Sequence, residues 1–439
     1  MRPCQSVRLG AMVSVNEGPM TPKLLTLLPQ IKRTTIIADS LAGITVAMVA
    51  LPLSLAIAIA SGADPATGLT TAIVAGFLIS LLGGSRVQIG GPTGAFIVVV
   101  FDVIANHGMS GLITATFMAG LILLIAAFAR AGSLIRLIPE AVINGFTIGI
   151  AAIIATSQIK DALGLSIDGI PAAFFEKIPA LWAGRETMVP AAVFIALATM
   201  VLIVLLRRAA PRWPGLIVAV GLTSAMVPLF GLPVDTIGSR FGTLPATLPM
   251  PHLPDLSVAH LIELLPSALI IAFLAGIESL LSAMVADRMI QDRHEPDAEL
   301  FAQGVANLVS PLFGGLPATG AIARTATNVR AGGQTPLAGM IHAVVILIVM
   351  AVAAPLASAL AMPALAGLLI LTAWNMAEPH KWPEYMRGRR SDLFLTVLTF
   401  GLTLFTDLTI AIGTGVAIGL ALRLQRRNVP PPDWDPRDR

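Results

Sequence analysis

Basic and acidic residues along this chain lie between long apolar blocks, and the blocks have the length of membrane helices rather than of core helices. A helix needs about 20 apolar residues to cross a bilayer. Full-length blocks at 38–60, 65–84, 110–130, 137–157, 187–206 and 213–230 are followed by a second set at 266–287, 298–313, 335–354, 360–376, 392–407 and 409–424. Two further stretches, Thr93 to Asn106 and Thr319 to Val329, are too short to cross, and each starts beside a Gly/Pro cluster. The pattern predicts an all-α polytopic membrane protein of fourteen segments, two of them half-helices, numbers 3 and 10.

Composition agrees. Of 439 residues, 56% are hydrophobic and only 12% charged, with a mean hydropathy of +0.84, against roughly 25% charge in soluble domains. Charge this sparse does not cover the surface of a soluble fold, so soluble-enzyme readings are excluded. The net charge of +3 and pI near 9.4 come from basic residues between apolar blocks and not from a basic–aromatic stripe, which excludes a nucleic-acid partner. One cysteine, Cys4, leaves no internal disulfide and no cysteine-rich metal site. No signal-peptide pattern precedes the first apolar span, which begins near Asp39 and is expected to stay as a helix.

The positive-inside rule tests the segment count. Fourteen segments place both termini in the cytoplasm, with 23 Lys and Arg residues on the inner loops against four outside, namely Lys160, Lys177, Arg185 and Arg240. Arg324 falls within a segment. Dropping either half-helix alone would reverse the sides of everything after it.

The two half-helices resemble each other. Gly90-Gly91-Pro92-Thr93-Gly94-Ala95 aligns with Gly314-Gly315-Leu316-Pro317-Ala318-Thr319-Gly320-Ala321 once two residues are inserted, with Thr93 and Thr319 226 positions apart. Each is the third segment of a seven-segment half. Because seven is odd, the second half has the opposite orientation, an inverted repeat.

Irregular backbone at membrane depth is tolerated only where protein or a water-filled cavity satisfies its polar groups. Two breaks therefore point to a central cavity. Half-helices that start there present unpaired N–H groups and about half a positive charge each, the makings of an anion site. The alternative is a pair of re-entrant turns packed only against protein. Arg324, about one turn into the second half-helix, costs roughly 2.5–3.5 kcal/mol at a helix centre and needs compensation, from a bound anion or from a salt bridge to Glu278 in segment 266–287. Glu278 is the deepest acidic residue the pattern places. It is a candidate to load and release a coupling ion, with Ser282 one turn later on the same face, and a static ion pair is the competing reading. Asp39, Glu140, Asp287, Glu299, Asp392 and Asp407 sit near segment ends and read as solvated caps. His342, near a helix start, reads as locally satisfied, and no metal spacing stands out. Small-residue stretches such as Gly413 to Gly419 read as close helix contacts.

At these motifs the sequence resembles the sulfate permease (SulP) family of anion transporters. The match runs from about Asp39 to Arg427. Its parts are Leu51-Pro52-Leu53-Ser54-Leu55-Ala56 with Ser61-Gly62-Ala63, then Gly91-Pro92-Thr93-Gly94, then Gly276 to Leu281 through Val285-Ala286-Asp287. Ala302-Gln303-Gly304-Val305-Ala306-Asn307, Phe313-Gly314-Gly315, Arg324-Thr325, Asn328-Val329 and Gly332-Gly333 complete it.

The resemblance implies a seven-plus-seven inverted repeat divided into a core (38–136 and 266–354) and a gate (137–265 and 355–427). A cytoplasmic segment (1–37) would precede it and a short tail (428–439) would follow. It implies a homodimer in a bacterial inner membrane and an elevator-like displacement of the core. Family substrates bind between the third and tenth segments, which carries onto Thr93, Gly94 and Ala95 and onto Ala321, Ile322, Ala323 and Arg324, with Leu53 and Ile57 on the first helix. Coupling in some members carries onto Glu278 and Ser282. No cofactor is expected beyond a coupling proton or sodium ion.

Leu53 stands where many relatives have Gln, and Ala323 where many have Ser, which removes two side-chain hydrogen bonds from the implied pocket. The Leu-Pro-Leu form resembles bacterial bicarbonate- or dicarboxylate-transporting members more closely. The C-terminal STAS domain of most members is missing from this sequence. The expected activity is secondary active transport of a small inorganic or organic anion such as sulfate, bicarbonate or fumarate, and not an enzymatic reaction. The alternatives are a nucleobase symporter of the same architecture and a non-transporting anion-binding motor or scaffold.

Overall fold

Each apolar block is helical in the computed structural model, which describes residues 20–132, 139–167, 171, 174–209, 214–406 and 408–425. Cys4, Asp407 and the basic residues Arg2, Arg8, Arg136, Arg212, Arg426, Arg427, Arg437 and Arg439 lie outside the described residues.

A short α1 (Lys23–Leu27) precedes the long α2 (Arg33–Ala60) and α3 (Pro65–Leu82). The start of α3 is set locally. The Asp64 side chain accepts from the Ala66 N–H at 2.8 Å, and Pro65 at the first helical position has no N–H to leave open. A two-residue strand β1 (Gly90–Gly91) leads into α4 (Phe96–Phe128), and the first half ends with α5 (Glu140–Ser157), α6 (Ile159–Leu163), α7 (Phe174–Ala183), α8 (Pro190–Ala209), α9 (Gly215–Phe230) and α10 (Ile237–Phe241). The chain continues into a second strand and further long helices. It runs through α11 (Val258–Ile290), α12 (Pro296–Val309), strand β2 (Thr319–Gly320), a nine-residue α13 (Ile322–Arg330) and α14 (Leu337–Ser358). It closes with α15 (Met362–Met376), α16 (Trp382–Arg387), α17 (Arg390–Phe405) and α18 (Leu408–Gln425).

Among the described residues, seven stretches are long and apolar enough to cross a membrane: α2, α3, α4, Glu140–Leu163, α8, α11 and α14. Two boundaries differ most from the sequence reading. The loop expected between Asn106 and Ser110 is a single break inside α4 at Gly108, which takes φ 69° and ψ −175°, a conformation that costs glycine little. Helix α11 begins at Val258, eight residues ahead of its apolar block.

The helices sort into two groups by packing. Helices α2, α3, α4, α11, α12, α13 and α14 pack on one another, while α5, α6, α8, α9, α15, α17 and α18 form the second group, and α2 meets α9 and α15 between them. Small residues set the closest approach. A Cβ on Gly120 of α4 would lie 2.6 Å from the Leu308 nitrogen, and one on Gly304 of α12 would lie 2.8 Å from the Leu124 side chain, so both sites require glycine. The Gly413 to Gly419 stretch is only partly such a seam, because Gly415 and Gly419 abut α5 and α17 whereas Gly413 faces open space.

Loops collect in two sets. Lys23 bonds the Arg293 carbonyl and pairs with Asp292, Glu295 N bonds Gly84 O, Arg86 bonds the Gln334 carbonyl, and Gly132 N bonds Asp297. A separate set joins Arg240 to Asp161 and Asp235, and Thr236 to Ala361.

Candidate functional site

The two helix breaks meet. Strands β1 and β2 pair antiparallel with Gly90 opposite Gly320 and Gly91 opposite Thr319. Ile89 extends the clip by accepting from Ala321 N at 2.9 Å and donating its own N–H to Thr325 Oγ1 at 3.1 Å. Helix α4 therefore starts from one strand of the ladder and α13 from the other. In α13 the first intrahelical bond is Thr325 N to Ala321 O, so the N–H groups of Ile322, Ala323 and Arg324 precede it. Ile322 and Ala323 are both exposed. Ala321 is buried at the ladder's end, and Thr319 is fully buried with its hydroxyl donating to the Ala275 carbonyl of α11 at 2.8 Å.

Arg324 lies beneath the ladder with no exposed surface. Its Nη2 donates to Pro92 O at 2.8 Å and to Ser54 Oγ at 3.2 Å, and its Nη1 reaches Gly90 O at 3.4 Å. A break in a helix leaves carbonyls without partners, and a planar guanidinium with several donors can serve more than one of them at once. Gly91 makes room for it. With φ at +147°, a Cβ there would strike Arg324 Nη1. The salt bridge between Arg324 and Glu278, one of the two ways of compensating the guanidinium, is not among the ion pairs of the described residues, because carbonyl dipoles and the Ser54 hydroxyl occupy the guanidinium instead.

Glu278 is half-buried and accepts from Thr93 Oγ1 at 2.9 Å, which ties α11 to the residue just after the first break. Together with Ala95, Phe146, Thr147, Phe273 and Ile277 it lines a small cavity between the two helix groups. Gly94 faces the same junction, since a Cβ there would lie 3.1 Å from Met376 Sδ and 3.6 Å from Ile154. Ser282 is fully buried, with its hydroxyl 3.3 Å from Thr325 Oγ1, and thus contacts α13. Leu53 and Ile57 are buried in the apolar core alongside Ala95 and Phe96, and neither lines this cavity.

Glu278 is not the deepest acid. Asp39 and Glu299, read from sequence as solvated caps, have no exposed surface. Asp39 accepts from the backbone N–H groups of Gln334 and Thr335 and from the Thr335 hydroxyl, so it caps a distant loop rather than its own helix. Glu299 accepts from Gln88, Gln303 and Ser279. His342 is fully buried. Sequence reading also missed Ser54. A signal for Glu299 existed: Glu299, Gln303 and Asn307 recur every four residues, a polar stripe down one face of α12.

Long apolar helices surrounding a paired helix break define an integral membrane protein with a site at the break. The model of the Sulfate permease family matches residues 36–399, and the chain belongs to that family. It is 41% identical over 390 residues to the putative sulfate transporter YvdB of Bacillus subtilis, covering 88% of this chain and 73% of that protein. It is 30% identical over 403 residues to the bicarbonate transporter BicA of a Picosynechococcus, covering 88% and 70%. The solved transmembrane domain of a cyanobacterial BicA superposes with a TM-score of 0.75 at 28% identity, over 90% of this chain and 98% of that one. SLC26A9, at 19% identity and a TM-score of 0.81 over 92% of this chain and 68% of that one, shares the fold. These relatives are transporters, and the chain is a transporter-family protein and not an enzyme.

Proposed function

We propose that the protein is a secondary active transporter of small anions. The observation that carries this reading is the ladder from which both half-helices start, with the exposed first turn of α13 and the buried Arg324 beside it. Helix N-termini attract anions through their open N–H groups and dipoles. Arg324, occupied by carbonyls, contributes its charge through the field rather than by touching substrate. Sulfate and bicarbonate, named for the relatives, are the first substrates to test, followed by small dicarboxylates such as fumarate.

The two packing groups support a reading in which access alternates. In this reading the group holding the ladder is the moving core, the other is the gate, and the cavity at Glu278 lies on the sliding surface. Glu278 carries the coupling proton or sodium ion, held from one side by Thr93. The fourteen-segment inverted count is supported by the antiparallel meeting of the two breaks and by the two loop sets. The strongly basic set is assigned to the cytoplasm of a bacterial inner membrane, and the protein is expected to be a homodimer.

The test is uptake into proteoliposomes of labelled sulfate, bicarbonate, chloride and fumarate under imposed pH and sodium gradients. Gradient-driven accumulation of at least one anion is expected. Binding without accumulation under every gradient would reject transport in favour of an anion-binding scaffold.

A further inference from the structure

One buried carboxylate has no part in the transport site as proposed. Glu299, in the first turn of α12, accepts at Oε1 from Ser279 Oγ at 2.8 Å, Gln88 Nε2 at 2.9 Å and Gln303 Nε2 at 3.0 Å. Its Oε2 accepts from Gly84 N at 3.1 Å. Ser279 Oγ in turn accepts from both amides at 2.7 Å. Every group around the carboxylate donates, which is the surrounding an ionised carboxylate requires. Among the described residues no Lys or Arg pairs with it, so its charge is held chiefly by charge-assisted hydrogen bonds, the Ser85 backbone among the donors, with His294 near enough to act on it electrostatically.

The donors are not a random shell. Gln88 and Gly84 belong to the segment that becomes β1, Ser279 is the neighbour of Glu278 on α11, and Gln303 lies one turn further along α12. Gly320 of β2 is what admits the Gln88 amide, because a Cβ there would strike Gln88 Nε2 and approach Ser279 Oγ to 3.1 Å. The cluster thus sits directly behind the ladder. One residue beyond Gln88, Ile89 uses both its carbonyl and its N–H to hold the start of α13. The chain of contact runs from carboxylate to amide to ladder to helix N-terminus.

We infer that Glu299 is a positioning residue, whose ionised carboxylate acts through Gln88 to fix the register between β1 and the first turn of α13. It touches no substrate. The transport consequence rests on the function proposed above, whereas the structural consequence does not.

The test reads both. In a Cys4→Ser background carrying Ala323→Cys, the maleimide labelling rate at the exposed start of α13 reports the register; KM for whichever anion is transported is measured without that probe. Glu299→Gln sets its amide NH2 against another donor whichever way it turns, the Gly84 N–H or the Gln88 and Gln303 amides. It is expected to change the labelling rate about tenfold and raise KM about tenfold, the equivalent of one charge-assisted hydrogen bond. Gln88→Ala, which cuts the link to the ladder, is expected to reproduce both changes. Gln303→Ala, which removes a donor from the same carboxylate but has no link to β1, is expected to alter each by less than about twofold.

Combining Glu299→Gln with Gln88→Glu exchanges acceptor and donor and is expected to restore labelling and KM toward the parent values. Unchanged labelling in Glu299→Gln, or equal effects of Gln88→Ala and Gln303→Ala, would overturn the inference. Should Glu299→Gln fail to insert, the comparison of the two glutamine variants decides alone. Should no anion be transported, labelling still decides, so the two proposals fail separately.

Discussion

Arg324 shows how a costly residue is kept in an apolar setting. Its charge is offset by two carbonyls freed by the first break and by the Ser54 hydroxyl, and removing it leaves those groups buried without a donor, at about 1–3 kcal/mol each. Arg324→Ala is therefore expected to lower the unfolding temperature in detergent and to abolish uptake. Arg324→Lys keeps the charge but loses the planar fork, and is expected to retain partial uptake with weakened thermal stability. Uptake and stability at parent levels in the alanine variant would remove Arg324 from the site. At Glu278 the expected change is in coupling: Glu278→Gln keeps an acceptor for Thr93 but no titratable group. Uptake by this variant should lose its dependence on the driving gradient, measured by imposing pH and sodium gradients separately.

At the scale of the element, the ladder is four residues long and depends on their smallness. Gly91 combines φ +147° with a guanidinium where its Cβ would be. Gly91→Ala should cost about 1–3 kcal/mol in backbone strain and displace Arg324 as well, so it is expected to impair uptake more than an alanine at Gly413, which meets nothing within 4 Å. Thermal unfolding and uptake of the two variants side by side check this. The polar stripe of α12 belongs to the same scale, since a helix with Glu299, Gln303 and Asn307 on one face has somewhere specific to put them. Gln303 faces Glu299 and Ser279, and Asn307 bonds the Ala318 backbone at both ends of its amide, which fixes the approach to β2.

For the whole molecule, the question is whether the two packing groups move past each other. Lys177 of α7 reaches across to Phe101 of α4, with Nζ 5.7 Å from the ring centroid, and α7 packs on α5 and α17 of the second group. In a Cys4→Ser background, Phe101→Cys with Lys177→Cys joined by a short reducible bis-thiol linker is expected to stop uptake, and reduction to restore it. Undiminished uptake in the fully linked protein would reject relative motion at this boundary.

Sequence alone determined what depends on composition and order along the chain. Apolar block length placed the helices, the Gly/Pro clusters placed both breaks, and alternation of basic loops grouped the loops that the structure brings into contact. It could not determine which buried polar groups face each other, because that depends on how helices far apart in sequence are rotated and set together. Arg324 and Glu278, which could have paired, went instead to carbonyls and Ser54 and to Thr93, Asp39 turned inward to a loop some 300 residues away, and Glu299 found its partners on α11 and ahead of β1. Segment ends read as solvated because nothing in a linear pattern says that another loop will cover them, and desolvation is decided only when the chain is closed.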